Sequence, residues 1–203
     1  MTDMLALSHR DLAALVVAVC FASGLNVYAT VVTLGLLARS GALALPESLA
    51  IIESWWVIGG CAAIWLIDFF ADKTPGVDLV WNLLQTFVRV PAAGLIAYAA
   101  ATPLSPAAQL AAAAAGSLIA LAAHGGKLAM RTTVTASPEP FSNIALSVAE
   151  DAIAIGLTWF ATHHPILAGA IALIFVAAIV LLVRLVIRGI RRLFRPAGKA
   201  FTT

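Results

Sequence analysis

The chain has 203 residues, of which 62% are hydrophobic and only 11% charged, with a formal net charge of +2. Soluble domains carry roughly 25% charged residues, so a water-soluble globular protein is excluded, and so small a positive charge gives nucleic acid no footing. About six spans of ~20 residues with short loops fit this length. The expected fold is an all-α polytopic membrane bundle with broken or re-entrant helices, a single domain over residues 1–203, with the lipid bilayer as its first partner.

The opening ten residues mix Asp3, His9 and Arg10, and the apolar run after them is far longer than a secretion-signal core. Leu12–Leu37 therefore reads as a retained first span. Near its middle stands Ser23-Gly24-Leu25-Asn26, which weakens the helix and offers side-chain groups to cover freed backbone carbonyls. The second span, Ile51–Phe70, runs straight into Asp68-Phe-Phe-Ala-Asp72-Lys73-Thr-Pro-Gly-Val-Asp78. Asp68 and Asp72 are four residues apart and share a helix face. Carboxylates at the edge of a span are costly without a role.

The third segment, Leu79–Ala101, is polar on one side through Asn82, Gln85 and Arg89, and Pro91 should break or kink it. It reads either as a span or as an interfacial helix followed by a short buried one. The fourth, Ala107–Ala123 with an extension toward Met130, is rich in alanine and meets His124-Gly125-Gly126-Lys127, a second glycine break. The stretch Ser137-Pro138-Glu139-Pro140-Phe141-Ser142-Asn143 leads into the fifth span, Ile144–Phe160, with Ser142 or Asn143 as the expected cap. Glu150 and Asp151, one to two turns in, point about 100° apart; at least one must face the bundle interior and a basic partner such as Lys127, Arg131 or Arg89. The sixth span, Ile166–Ile190, ends in a basic tail over residues 191–203.

With six spans both termini share a face. That face gathers Arg10, Lys73, Lys127, Arg131 and the tail arginines, so the positive-inside rule makes both termini cytoplasmic. Glycine breaks in spans one and four, each followed by a proline-led span, suggest a 3+3 inverted repeat. Cys20 and Cys61 lie in apolar runs without CxxC spacing and imply neither metal nor disulfide.

Residues Ser23–Thr30, the Asp68–Asp78 stretch with Trp81, Gln85-Thr86, and Ser137–Asn143 with Glu150-Asp151 together resemble a family of small bacterial multi-pass membrane proteins catalogued as a domain of unknown function. The resemblance covers most of the chain. It implies that these polar segments belong to one module, and it supplies no activity.

Three function classes follow. The leading one is a small transporter or permeation protein of the bacterial inner membrane for an ion or small polar solute. Its site would lie toward the cytoplasmic half and draw on Asn26, Asp68, Asp72, Asp78, Arg89, Lys127, Asn143, Glu150 and Asp151, in a chain expected to pair as a homodimer. The second is an enzyme acting on lipid-linked phosphates, in which Asp68 and Asp72 would hold Mg²⁺ against a diphosphate; no cofactor is implied otherwise, and no catalytic triad or zinc motif is present. The third is an assembly or lipid-organising protein without turnover.

Overall fold

The computed structural model describes residues 8–74, 77–135 and 140–193, and every regular element among them is helical. In chain order these are α1 (His9–Arg39), a short 3-10 helix (Glu47–Glu53), α2 (Trp55–Ala71), α3 (Val77–Ala100), α4 (Pro106–Thr135), α5 (Pro140–His163) and α6 (Pro165–Leu193). The starts and stops follow local chemistry. Ser8 caps α1 by accepting from the Asp11 amide, whereas α4, α5 and α6 each begin on a proline, whose missing N–H costs nothing in the first turn. This moves the start of α5 back from the expected Ser142 or Asn143 cap to Pro140. At the end of α1, Gly41 takes φ 76°, and the Gly41 and Ala42 amides donate back to the Ala38 and Leu37 carbonyls. That left-handed residue closes the helix with a glycine-dependent cap.

α1 is the element that organises the rest. At Asn26 its backbone is extended (φ −151°, ψ 101°), which divides it into limbs 9–25 and 27–39, about 25 Å and about 20 Å long at ~1.5 Å per residue. Both limbs lead to the same end of the bundle. In the first, Leu12, Ala13 and Val16 line an apolar cavity of about 240 Å³ together with Ala100, Ala101, Pro103 and Leu104. In the second, Gly35 packs on Ile52 and Ile58, Arg39 donates to the Glu53 carbonyl, and Ser48, beside them in the 3-10 helix, donates to the Ala99 carbonyl. The segment expected as the first span is thus a helical hairpin with its tip at Asn26.

The remaining helices run end to end. The 3-10 helix and α2 meet at 60°, and α2 descends from Arg39 to Asp68, level with the hairpin tip. α3 returns to the cavity end, α4 descends, α5 returns and α6 descends, passing Ala14 at Gly169 and Gly126 at Ile179. By length and composition five of the described helices, or six with the bent pair counted as one, can cross a membrane, in line with about six spans. Within this packing the start of α1 lies beside the start of α6, at Ala14 and Gly169, and away from the end of α6.

Two further expectations change. α3 continues through Pro91, and Asp78, Asn82, Gln85 and Arg89 are all buried; at spacings of three and four they form one stripe that faces the bundle rather than an interface. α4 runs unbroken through Gly125 and Gly126, so the second glycine break is absent and the two halves differ at their first elements. Packing elsewhere relies on small residues. Ala93, Ala97, Ala120, Ala123, Ala154 and Ala172 are buried, and such residues bring helix backbones close where lipid offers no hydrophobic drive. Outside, Leu, Ile, Val and Phe side chains on α6 are exposed, and Trp55, Trp56 and Trp159 also point outward. Together with the apolar helices this marks a membrane-embedded protein.

Two outcomes test this architecture. With Cys20 and Cys61 replaced, single cysteines at Ser8 and Gly41 should react with an impermeant maleimide from the same side of sealed vesicles, and one at Gly189 from the other; Ser8 and Gly41 labelling from opposite sides would restore a crossing α1. A methyl group at Gly24 would lie 2.5 Å from the Ala120 carbonyl oxygen and 2.7 Å from the Ala123 Cβ, whereas one at Gly125 meets nothing within 4 Å. Gly24→Ala should therefore lower stability by about 1–3 kcal/mol and Gly125→Ala should not, read as thermal midpoints in detergent.

Candidate functional site

A helix broken at one residue exposes the carbonyls of the turn before it and the amides of the turn after it. On the far side of the break Asn26 serves as the N-cap of the second limb, its Oδ1 accepting from the Ala29 amide at 3.1 Å, in the way short polar side chains begin helices. On the near side the Gly24 and Leu25 carbonyls are taken by side chains from other helices. His124 approaches the Gly24 oxygen at 3.3 Å, Lys127 donates to the Leu25 oxygen at 3.3 Å, and Arg89 donates to the same oxygen. The bases on α3 and α4 thus cap the hairpin tip.

Those bases bring carboxylates with them. Asp68, at the end of α2, receives one Arg89 nitrogen on both oxygens at 2.8 and 2.9 Å, the Trp81 indole at 2.7 Å and the Asn26 amide at 3.0 Å. Asp72, just past α2, receives Lys127 at 3.0 Å, Arg131 at 2.9 Å and Asn82 at 2.7 Å. Glu150 lies 2.5 Å from Arg131 and 3.1 Å from Lys127. Asp151 accepts the second proton of the Asn26 amide at 2.8 Å. Asp78 lies 3.9 Å from Arg131. Five helices thereby meet in one buried polar centre: the tip of α1, the end of α2, the first half of α3, the second half of α4 and the first turns of α5.

Of the residues expected in the site, the structure brings together Asn26, Asp68, Asp72, Asp78, Arg89, Lys127, Glu150 and Asp151, each less than a tenth exposed. The side chain of Asn143 and the stretch around Glu139 fall outside the described residues. Asn82, Trp81 and His124 are not among the expected site residues and Arg131 only as a candidate partner of the α5 carboxylates, yet each bonds within the centre. A signal for three of them was available. Asn82 lies in the 78, 82, 85, 89 stripe, and His124 and Arg131 flank Lys127 at spacings of three and four, on one face of α4. Trp81 is read only from its indole N–H, which reaches Asp68 across the α2–α3 turn.

The electrostatics are uneven. Asp68, Asp72, Asp78, Glu150 and Asp151 face Arg89, Lys127 and Arg131, and all eight are buried. Lys73 stands at the rim and donates to the Phe69 carbonyl. His124 places Nε2 against the Asn82 carbonyl and the Thr86 hydroxyl, and Nδ1 against the Gly24 carbonyl. Burial works against the charged form of Asp72, but Lys127 and then Arg131 outweigh it and hold this carboxyl below its ordinary range. The pair expected to grip Mg²⁺ is fully engaged, since every oxygen of Asp68 and Asp72 already accepts from a base, an amide or an indole. Among the described residues no three His, Cys, Asp or Glu side chains form a metal-binding group.

Residues 13–185 match the family described as a domain of unknown function, DUF4126. The chain belongs to this family. No curated protein and no solved structure matches it. The DUF4126 match takes in the hairpin, the centre and all six helices up to residue 185, so the buried network lies wholly inside the family region. The basic end of α6 lies largely outside it.

Removing the Asp72 charge leaves Lys127 and Arg131 buried with one partner fewer. Asp72→Asn should destabilise the protein by about 3–5 kcal/mol, the usual loss when one member of a buried pair is removed. Because the folded carboxyl titrates below its unfolded value, the stability it contributes is complete above about pH 4 and disappears as the pH falls through the lower, folded value. Thermal midpoints in detergent from pH 7 to pH 3 should fall more steeply for the wild type than for Asp72→Asn; parallel curves would remove Asp72 from the acid response.

Proposed function

We propose that this protein is a small transporter or permeation protein of the bacterial inner membrane, and that the hairpin tip with its ring of charges is where an ion or small polar solute is handled. The observation that carries the reading is the break at Asn26 in the middle of the bundle. Irregular backbone at membrane depth is tolerated only inside protein or along a hydrophilic route, and transporters use such broken helices to present carbonyls and helix ends to their cargo. A purely structural role accounts poorly for the centre, because a buried ion-pair network costs several kcal/mol of desolvation per charge and well-packed apolar residues would be as stable or more so. The carboxylate excess favours a positively charged cargo. The bonds to Arg89, Lys127 and Arg131 then mark a closed state in which the protein's own cations occupy the acidic groups. An enzyme using Asp68 and Asp72 on Mg²⁺ would first have to strip away those bases.

The orientation belongs to the same proposal. Lys73 and the arginines of α6, Arg184, Arg188 and Arg191, gather at the end of the bundle nearest the centre, against Arg10 and Arg39 at the other end. By the positive-inside rule the centre and the carboxyl-terminal end of α6 face the cytoplasm.

Proteoliposomes of the purified chain should pass charge under an imposed gradient of a permeant cation, read with a potential-sensitive dye. Asp68→Asn and Glu150→Gln should abolish the flux while the protein remains monodisperse on sizing. Vesicles as tight as protein-free ones for protons, alkali cations and small organic cations alike would end the transport reading.

A further inference from the structure

The first turns of α5 hold three polar side chains that the network leaves incomplete. Ser147 stands three residues before Glu150 and four before Asp151, so it neighbours both carboxylates on the helix surface, and all three are buried with exposures of 1%, 5% and 6%. Each has an oxygen without a hydrogen-bond partner among the described residues: Ser147 Oγ, Glu150 Oε1 and Asp151 Oδ2. The other carboxylate oxygens are fixed, Glu150 Oε2 by Lys127 and Arg131 and Asp151 Oδ1 by Asn26. Both carboxylates are therefore held with one oxygen tied and one bare. A buried carboxylate oxygen left bare keeps the cost of its lost hydration, and two negative groups on one helix turn repel as well. Counting Lys73 among the bases and His124 as neutral, the centre carries one more negative than positive charge among the described residues.

We propose that this face of α5 binds one monovalent inorganic cation, coordinated by Ser147 Oγ, Glu150 Oε1 and Asp151 Oδ2 beside the Asn26 tip. The ligand set is all oxygen, which suits hard cations, and it mixes two carboxylates with a neutral hydroxyl. A transition metal asks for nitrogen or sulfur donors or a third carboxylate, whereas an alkali ion accepts neutral oxygens and needs only one unit of charge to cancel the excess. The adjoining hairpin break, with Asn26 bound to Asp151, links occupancy of the cation to the conformation of the tip. This inference rests on the transport reading for its meaning in the cell, but the binding itself is an equilibrium property of the protein in detergent.

The test uses the full chain in detergent at pH 7.5 and fixed ionic strength, with Na⁺, K⁺ or Li⁺ replacing N-methylglucamine. At least one of the three should raise the thermal midpoint saturably, as a ligand of the folded state must. Glu150→Gln and Asp151→Asn should each raise the half-saturating concentration tenfold or more. Ser147→Ala, which keeps all charges and is the variant least prone to misfold, should raise it severalfold. The proposal is overturned if none of the three ions gives a saturable shift, if Ser147→Ala and Asp151→Asn respond as the wild type does, or if acidification between pH 8 and pH 5 alone reproduces the stabilisation, since the carboxylates would then hold protons. Binding without flux in proteoliposomes would end the transport reading and leave the site; flux without saturable binding would do the reverse.

Discussion

The capping of two backbone carbonyls holds this fold together. Once α1 breaks at Asn26, the Gly24 and Leu25 oxygens lose their helical donors inside an apolar bundle, where an unsatisfied carbonyl costs several kcal/mol. Arg89, Lys127 and His124 answer that need, and they in turn demand acids. Asp68 answers Arg89, while Asp72 and Glu150 answer Lys127 and Arg131. The network is thus a chain of debts that starts at one residue with extended backbone angles. Gly24 permits it, because only a residue without a side chain allows the tip to press on the Ala120 carbonyl.

Much of the centre was legible in the sequence because charge at membrane depth is rare and expensive. Asp68, Arg89, Lys127 and the Glu150-Asp151 pair announced themselves by cost alone, and the pairing of α5 carboxylates with Lys127 and Arg131 follows from the same argument. The helical class followed from composition, and the weakness at Ser23-Gly24-Leu25-Asn26 pointed to the break. Its direction was not legible. A hydropathy pattern measures whether a segment is apolar and long enough, and Leu12–Leu37 is both, so nothing local separates a crossing helix from one that turns back. The decision lies in tertiary packing, with Ala13 and Pro103 lining one cavity and Gly35 on Ile52.

The glycines teach the complementary lesson. Gly24 and Gly125 look alike as interruptions in apolar runs, yet one lies against a neighbouring backbone and the other faces open space. Helix breaking at Asn26 required more than a glycine: it required Asn26 itself as a cap for the next limb and distant cations for the freed carbonyls. Gly125-Gly126 has no such support, and intrahelical hydrogen bonding in the surrounding bilayer outweighs the modest propensity penalty of two glycines. Pro91 follows the same logic, tolerated because α3 is buried on both sides of it, by the polar stripe before and by Ala93, Ile96 and Ala97 after.

The hairpin is made first and completed last. Ribosomes deliver α1 before any of the groups that cap its tip exist, and the residue bonded to Asn26 on α5 lies 125 positions downstream. During synthesis the opening segment must wait, either as a provisional straight helix or sheltered by the insertion machinery, until α3, α4 and α5 arrive with their charges. Those later helices are equally unfit for lipid alone, since each carries ions that only the others neutralise. The bonds around Asn26 are therefore complete only once the chain has been made as far as Asp151.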